Sequence, residues 1–294
     1  MSSRAGGEIV ALTGPRGQVG YELRRALAPL GRVVVCDRER LDLADADSIR
    51  TALDDIRPTL VVNAAAYTAV DDAEREPEVA MAVNAEGPGI LAEQARRLGA
   101  GLVQYSTDYV FSGDAARPYR EDDREAPLGA YGASKLAGEQ AIAAAGAGAL
   151  ILRTGWVYGR RGRNFLLTVE RLAAERERLA IVDDQVGAPT WCRLLAEATA
   201  QLLAPGRGAL EGYLRERGGL YHLSCAGSVS WCGFARRILE IRGTAIPVDA
   251  IDTAAYPTLA RRPPYSVLDN ARVRAEHGVH MPPWDEALAL ALAD

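Results

Sequence analysis

Lys135 is the single lysine in a chain of 294 residues whose other basic side chains are all arginine. It stands four residues after Tyr131 in Tyr131-Gly132-Ala133-Ser134-Lys135, so on a helix the two side chains share a face. That pairing has a chemical use. A free tyrosine titrates near pH ~10, and a neighbouring ammonium favours the phenolate and lowers that value. Lysine offers a compact charge with three rotating donors, able to reach a phenol and a sugar hydroxyl together; arginine's planar fork is no substitute. A tyrosine tuned in this way can trade a proton with a reacting oxygen. The plainer alternative is a surface tyrosine packed on a lysine stem. A second candidate is Thr107, in Ser106-Thr107-Asp108-Tyr109-Val110-Phe111, directly after the apolar run 101–105. In open parallel sheets ligands bind outside the carboxyl ends of strands, so Thr107 falls where chemistry is expected.

The elements that must position these residues follow from the pattern. Residues 8–12 form a short apolar run, read as a buried first strand. Thr13-Gly14-Pro15-Arg16-Gly17-Gln18-Val19-Gly20 comes next, and then the helical pattern 21–30. Strand, glycine-rich turn and helix make the unit that binds a dinucleotide pyrophosphate. Gly14 permits the tight turn, Gly17 the approach of phosphate to backbone, and Gly20 close packing of helix on strand, while the helix N-terminus supplies free N–H groups. A second strand, 32–36, ends at Asp37, where an acid can accept hydrogen bonds from an adenosine ribose and favour NAD; Arg38 follows and can instead pair with the 2′-phosphate of NADP. The two pull in opposite directions and leave the choice between NADPH and NADH open. A helix over 45–56 and a third strand over 60–62 lead into Asn63-Ala64-Ala65-Ala66-Tyr67-Thr68, small residues against which a flat cofactor can lie, or an alanine-rich helix start. Residues 71–98 read as helix, interrupted around Pro77 and Pro88.

In the second half, 149–153 reads as strand and 165–177 as a charged amphipathic helix. After Gly155 the strict alternation of strand and helix loosens. Helices are expected over 194–203, 231–242 (capped by Ser228 or Ser230) and 285–292, with 205–219 a glycine- and charge-rich loop. The expected fold class is therefore α/β, a Rossmann-like doubly wound parallel sheet over residues 1–154, with 155–294 mainly a smaller substrate-binding domain that lends some segments back to the sheet.

Composition excludes several functions. An apolar fraction of 48% and a charged fraction of 25% are those of a globular protein, and a net charge of −5 argues against nucleic acid as a partner. The basic run at Arg160, Arg161 and Arg163 reads as a solvated loop or a steering patch for a diphosphate, and Arg261-Arg262-Pro263-Pro264 as a turn that meets a diphosphate or simply faces solvent. Cys36, Cys192, Cys225 and Cys232 form no C-x-x-C pair, and His277 and His280 lack an acidic or cysteine partner, so neither a disulfide framework nor a metal site is expected. With no hydrophobic leader or membrane-length apolar run, a cytoplasmic, soluble protein is expected.

Taken together, these residues resemble the extended short-chain dehydrogenase/reductases, and within that group the dTDP-4-dehydrorhamnose reductases. The resemblance rests on the glycine turn, the Asn63 to Asp71 segment, Val83-Asn84, the Ser106 to Phe111 segment, Pro127-Leu128 and the Tyr131 motif. It continues through Arg153-Thr154-Gly155-Trp156-Val157-Tyr158, Asp184-Gln185-Val186-Gly187-Ala188-Pro189-Thr190, Gly219-Leu220-Tyr221-His222-Leu223 and Arg262-Pro263. It implies a catalytic trio of Thr107, Tyr131 and Lys135, with Tyr131 as proton donor to a substrate carbonyl and Lys135 holding the nicotinamide ribose. It also implies sugar-nucleotide contacts from Thr107, Asp108 and Trp156, the last alternatively a core tryptophan. Gly17, Gln18, Val19, Asp37, Asp42, Leu43, Ala64, Ala65, Ala66 and Tyr67 carry over as cofactor contacts. The implied reaction is NAD(P)H-dependent reduction of the C4 carbonyl of a dTDP-linked 4-keto-6-deoxy sugar, giving dTDP-L-rhamnose.

Departures narrow that implication. Related dehydratases carry Asp-Glu after the threonine, whereas Tyr109 stands at the second position here, and epimerising relatives use a cysteine and a histidine, of which the first half holds only Cys36 and no histidine. Some family members bind magnesium through glutamates at a dimer interface. Glu22 matches one such position, but 285–294 offers only Glu286 near its start, which puts magnesium, and that mode of homodimer, in doubt. Reduction of another dTDP-4-keto-6-deoxyhexose, as in dTDP-dihydrostreptose synthesis, and a regulatory role like that of the non-catalytic subunit of methionine adenosyltransferase remain alternatives.

Overall fold

A computed structural model describes residues 7–294. Strand β1 (Glu8–Thr13), helix α1 (Gln18–Ala26), β2 (Gly31–Cys36), α2 (Ala46–Ile56) and β3 (Leu60–Asn63) alternate as the apolar pattern requires. Asp45 starts α2 by accepting from the N–H groups of Asp47 and Ser48. The long helical stretch that follows is broken once, at Glu76, between α3 (Val70–Arg75) and α4 (Pro77–Met81). The second interruption takes a different form from the one expected. A π-turn over Ala82–Glu86, closed by the Gly87 N–H on the Ala82 carbonyl oxygen, runs without a gap into α5 (Gly87–Leu98), and Pro88, which has no N–H to give back along the helix, follows this wider turn directly.

Strand β4 (Gly101–Thr107), helix α6 (Ala130–Ala145) and β5 (Ala149–Thr154) complete the first half. Beyond it come β6 (Val157–Tyr158), α7 (Phe165–Glu175), β7 (Leu179–Val182), β8 (Val186–Gly187), β9 (Thr190–Trp191) and α8 (Cys192–Leu203). Residues 205–219, expected as loop, contain α9 (Leu210–Arg217). Leu210 and Leu214, one turn apart, are buried against the sheet, and that packing outweighs the surrounding glycines. The chain continues through β10 (Gly219–His222), β11 (Val229–Ser230), α10 (Trp231–Ile241), β12 (Val248–Ile251), α11 (Ala271–His277) and α12 (Trp284–Ala293). Ser230 caps α10 by accepting from the Gly233 N–H at 2.9 Å.

Six strands form a wholly parallel sheet in the order β10-β5-β4-β3-β1-β2. This is the doubly wound, Rossmann-like arrangement. Strand order reverses between β1 and β3, so the crevice for a ligand opens at the ends of these two strands, beside Thr13 and Asn63. Asn63 donates to Gln104 at 2.7 Å and accepts from Thr13, tying the buried ends of β1 and β3 to the middle of β4. One face of the sheet is covered by α1, α8 and α9, the other by α2, α5 and α6. A third core, around Tyr158, Leu166, Trp191, Phe234, Ile238 and Leu288, belongs to the second half. Residues 192–222 return to the sheet, adding α8, α9 and the edge strand β10.

Candidate active site

The glycine turn is built by close approach. Gly14 has φ +63°, and a Cβ there would lie 2.7 Å from the Ala64 carbonyl oxygen. A Cβ on Gly20 would lie 2.0 Å from the Gly14 carbonyl oxygen, so α1 starts directly against the turn. Gly17, the residue preceding α1, makes no side-chain cap, leaving the first N–H groups of the helix to face the cleft. That cleft, of about 530 Å³, is bounded by Gly14 and Gly17 below, Ala65, Ala66 and Tyr67 on one side, and Asp37, Arg38, Asp42 and Leu43 at the far end.

The side chains of two expected cofactor contacts, and the backbone of a third, are engaged within the protein. Gln18 donates to the Val157 carbonyl oxygen at 3.3 Å and accepts from Asn164 at 2.9 Å, bridging the turn to the second half. Val19 packs into the cores, and Ala64 meets Gly14 through its backbone. At the adenosine end, Asp37 is paired with Arg16 at 3.0 Å, while Arg38 is paired with Asp42 at 3.0 Å. Arg16 was not among the sequence candidates; its place inside the glycine turn was the available signal. Bonds from the Ala44 N–H and then from Arg38 hold the Asp42 carboxyl below its usual range.

Thr107 ends β4, buried, its hydroxyl donating to Asp108 at 3.2 Å and accepting from the Tyr109 N–H at 3.1 Å. Tyr131 faces it from the first turn of α6, and its ring meets Tyr109 edge-on at 5.9 Å. A Cβ on Gly132 would lie 2.2 Å from the Tyr109 carbonyl oxygen, so only glycine lets α6 come this near. Burial pushes the Tyr131 phenol up to about 12, opposed by the Thr107 hydroxyl and reinforced by Asp108. Lys135 does not lower it as expected from the spacing. Its ammonium donates instead to the Tyr105 carbonyl oxygen at 2.7 Å. Burial brings Lys135 down to about 8, with Glu139 opposing the fall.

Beneath the trio lies a polar row. Ser106 on β4 stands opposite Arg153 on β5, which stands opposite His222 on β10. Arg153, fully buried, binds Glu139 at 2.6 Å and Glu125 at 2.8 Å, and Ser106 donates to Glu139. Asp108 is also buried; burial raises its carboxyl to about 6, and its Oδ2 has no hydrogen-bond partner among the described residues. Asn84, in the π-turn, accepts from the Tyr67 N–H at 2.9 Å and donates to Ser134 at 3.0 Å, joining the alanine loop to α6. Glu139, Arg153 and Asn84 had no assigned role in the sequence; only Glu139, one turn after Lys135, could have been found by spacing.

Trp156 lies over Trp231 with ring centroids 3.4 Å apart. The basic turn is not free: Arg262 binds Asp71 at 2.8 Å, and in the other run Arg160 binds Glu170 at 3.0 Å while Arg161 lies over the Tyr21 ring. Among the described residues no group of three or more His, Cys, Asp or Glu side chains could hold a metal ion. Glu22 is instead paired with Arg25 at 2.6 Å. No helix there is long and apolar enough to cross a membrane.

The chain is similar over nearly its whole length to known proteins. A dTDP-4-dehydrorhamnose reductase of Burkholderia thailandensis is 45% identical, over 97% of this chain and 98% of its own. Its counterpart in Escherichia coli K12 is 43% identical over 94% of each. The crystal structure of dTDP-4-dehydrorhamnose reductase from Bacillus anthracis in complex with NADP superposes with a TM-score of 0.88 at 35% identity, over 98% of this chain and 99% of that one. The profile of the RmlD substrate binding domain matches residues 8–294, and the chain belongs to that family.

Proposed function

We propose that this chain reduces the C4 carbonyl of dTDP-4-dehydro-L-rhamnose to the alcohol of dTDP-L-rhamnose, using NADPH or NADH. The observation that carries the reading is the meeting of the Tyr131 phenol with the Thr107 hydroxyl at the end of β4, one helical turn from Lys135. The cleft of about 530 Å³ at the strand-order reversal suits a dinucleotide, because the glycine backbone at 14–17 and the uncapped start of α1 leave N–H groups for its pyrophosphate. Asp37 and Arg38 would meet the adenosine ribose, with Arg16 beside them. When bound, the nicotinamide supplies the hydride.

The protein's own contribution is a proton and a place for charge. With its pKa near 12, the Tyr131 phenol keeps its proton at neutral pH. An alkoxide forming at the substrate oxygen is a far stronger base than a phenolate, so the proton moves to that oxygen as carbon gains its C–H bond. Thr107 turns its O–H from Asp108 to the same oxygen and orients it. Lys135, cationic below about pH 8, holds a ribose hydroxyl. Asp108, half-protonated near pH 6, and the indole of Trp156 hold the sugar nucleotide.

The test is oxidation of NADPH and NADH, followed separately, with dTDP-4-dehydro-L-rhamnose. Turnover with either supports the proposal, and absence of oxidation with both overturns it. Tyr131→Phe should lower kcat by about 10²–10⁴ with the fold intact, the usual contribution of a positioned acid. Near-normal turnover would remove Tyr131 from the donor role.

A further inference from the structure

Trp156 has an unusual backbone. Its φ is +49°, a conformation that bulky side chains avoid, and among the described non-glycine residues only Arg57, a helix C-cap, also has positive φ. Its indole overlies that of Trp231 at 3.4 Å with the planes 1° from parallel. Ring quadrupoles favour an offset over full overlap, so surrounding contacts must hold the pair. A Cβ on Gly187 would lie 2.3 Å from Trp156 Cε2, and the Thr190 N–H donates to the Trp156 carbonyl oxygen at 3.1 Å. Trp231 is itself anchored as the first residue of α10. Its Nε1 donates to Gln185 at 3.3 Å, and the Phe165 ring packs 4.6 Å away. Gln185 in turn donates to Thr253 at 2.9 Å. On the other side, a Cβ on Gly155 would lie 2.5 Å from the Asp108 carboxyl, so the indole's setting is one residue from a buried acid.

We propose that Trp231 is a positioning residue: it presents the Trp156 indole to the sugar nucleotide by stacking behind it. The proposal rests on the reading of Trp156 as a sugar-nucleotide contact. Trp231 does not touch the reacting atoms. It fixes a face that the β5 to β6 connection, strained at Trp156, would otherwise leave unsupported. The stack links that face to α10 and to Gln185 and so to the second half of the chain.

Two closely stacked indoles couple their strong ultraviolet transitions, so the wild type should give an exciton couplet in its far-ultraviolet circular dichroism. Trp231→Ala and Trp156→Phe should each abolish it, while Trp191 and Trp284 remain. In Trp231→Ala the KM for dTDP-4-dehydro-L-rhamnose should rise about tenfold, with the KM for NADPH unchanged, as loss of one aromatic pair implies. Trp231→Phe, which keeps a stacking face and folds without a cavity of indole size, should lose the couplet and recover most of that KM. Variant far-ultraviolet spectra that equal the wild-type spectrum less one unperturbed indole, in absorption and circular dichroism alike, overturn the stack itself. An unchanged sugar-nucleotide KM in Trp231→Ala overturns the positioning role. If Trp231→Phe behaves like Trp231→Ala, the effect belongs to the Gln185 hydrogen bond and the proposal again fails. Wild-type protein that turns over no keto-sugar sinks the functional reading; absence of the same KM-like change in dTDP titrations of the two variants then overturns the positioning role independently.

Discussion

At the scale of single residues, the charge on Lys135 depends on what lies beneath it. Burial lowers the ammonium to about 8, and the Glu139 carboxylate opposes that fall. Glu139 faces Arg153 and Ser106 as well as Lys135, and Glu125 meets Arg153 from the other side. Lys135 is a cation below about pH 8 and neutral above it, so kcat/KM should decline as pH rises through that value. Glu139→Gln removes the one anion that favours the cation and leaves the Arg153 charge less compensated. Both changes act in the same direction, moving the basic limb of the pH profile to lower pH. A limb left where the wild type has it would separate Lys135 from Glu139. The same variant leaves the fully buried Arg153 with Glu125 as its remaining carboxylate, and denaturant unfolding should report a loss of about 3 kcal/mol. Tyr131, Lys135 and Thr107 were legible because two of them share one motif and the third follows an apolar run. The polar row was not. Its bonds join residues 14 and 33 positions apart, and nothing in local spacing announces them.

At the scale of elements, α6 carries the proton donor and must lie unusually close to its neighbours. A Cβ on Gly138 would lie 2.1 Å from the Asn84 carbonyl oxygen, in the π-turn that binds both Ser134 and the Tyr67 loop. Helix propensity alone would make Gly138→Ala stabilising by ~1 kcal/mol. The contact reverses that sign, because the obstacle is backbone on an element fixed by its own hydrogen bonds. Gly138→Ala should therefore lower Tm and reduce kcat, as α6 shifts away from Asn84 and Tyr131 moves with it. A variant with raised Tm and full activity would show that α6 can move without consequence. The extent of α6 was poorly marked by hydrophobic periodicity, since alanine and glycine fill it, and its place was readable only from the Tyr131 motif. Helix α9 was missed for a related reason: Leu210 and Leu214 become a helical face only when β4 and β5 are there to cover them. The alternation of strands and helices up to β5 was legible because each strand is a nearly unbroken apolar run.

At the scale of the whole molecule, the cleft is made of two halves that must stay aligned. The parallel sheet, its strand-order reversal and the return of some later segments to it followed from pattern, but that the returning segment is 192–222 did not, because a four-residue edge strand depends on its partner for definition. Among the bonds that cross between the halves are two sets. Gln18 meets Val157 and Asn164 beside the glycine turn, and Asp71 meets Arg262 and the Ala260 N–H on the opposite flank. The Arg262 bond holds the Asp71 carboxyl below its usual range, so the pair is fully charged at neutral pH. Both side chains are partly exposed, at 21% for Arg262 and 38% for Asp71, so water screens much of their attraction. Asp71→Asn should consequently cost less than about 1 kcal/mol of stability. Its effect on catalysis should be larger. The segment it anchors runs from the exposed Tyr256 and Leu259 to Pro263 and Pro264, which pack against Gly113 just beyond the strand end that bears Thr107. Loosening that anchor should raise the KM for the keto-sugar by about fivefold while leaving the KM for NADPH unchanged. It should also speed proteolysis between 252 and 262. If instead Tm drops several degrees with both KM values intact, the pair holds the fold together and has no part in closing the cleft.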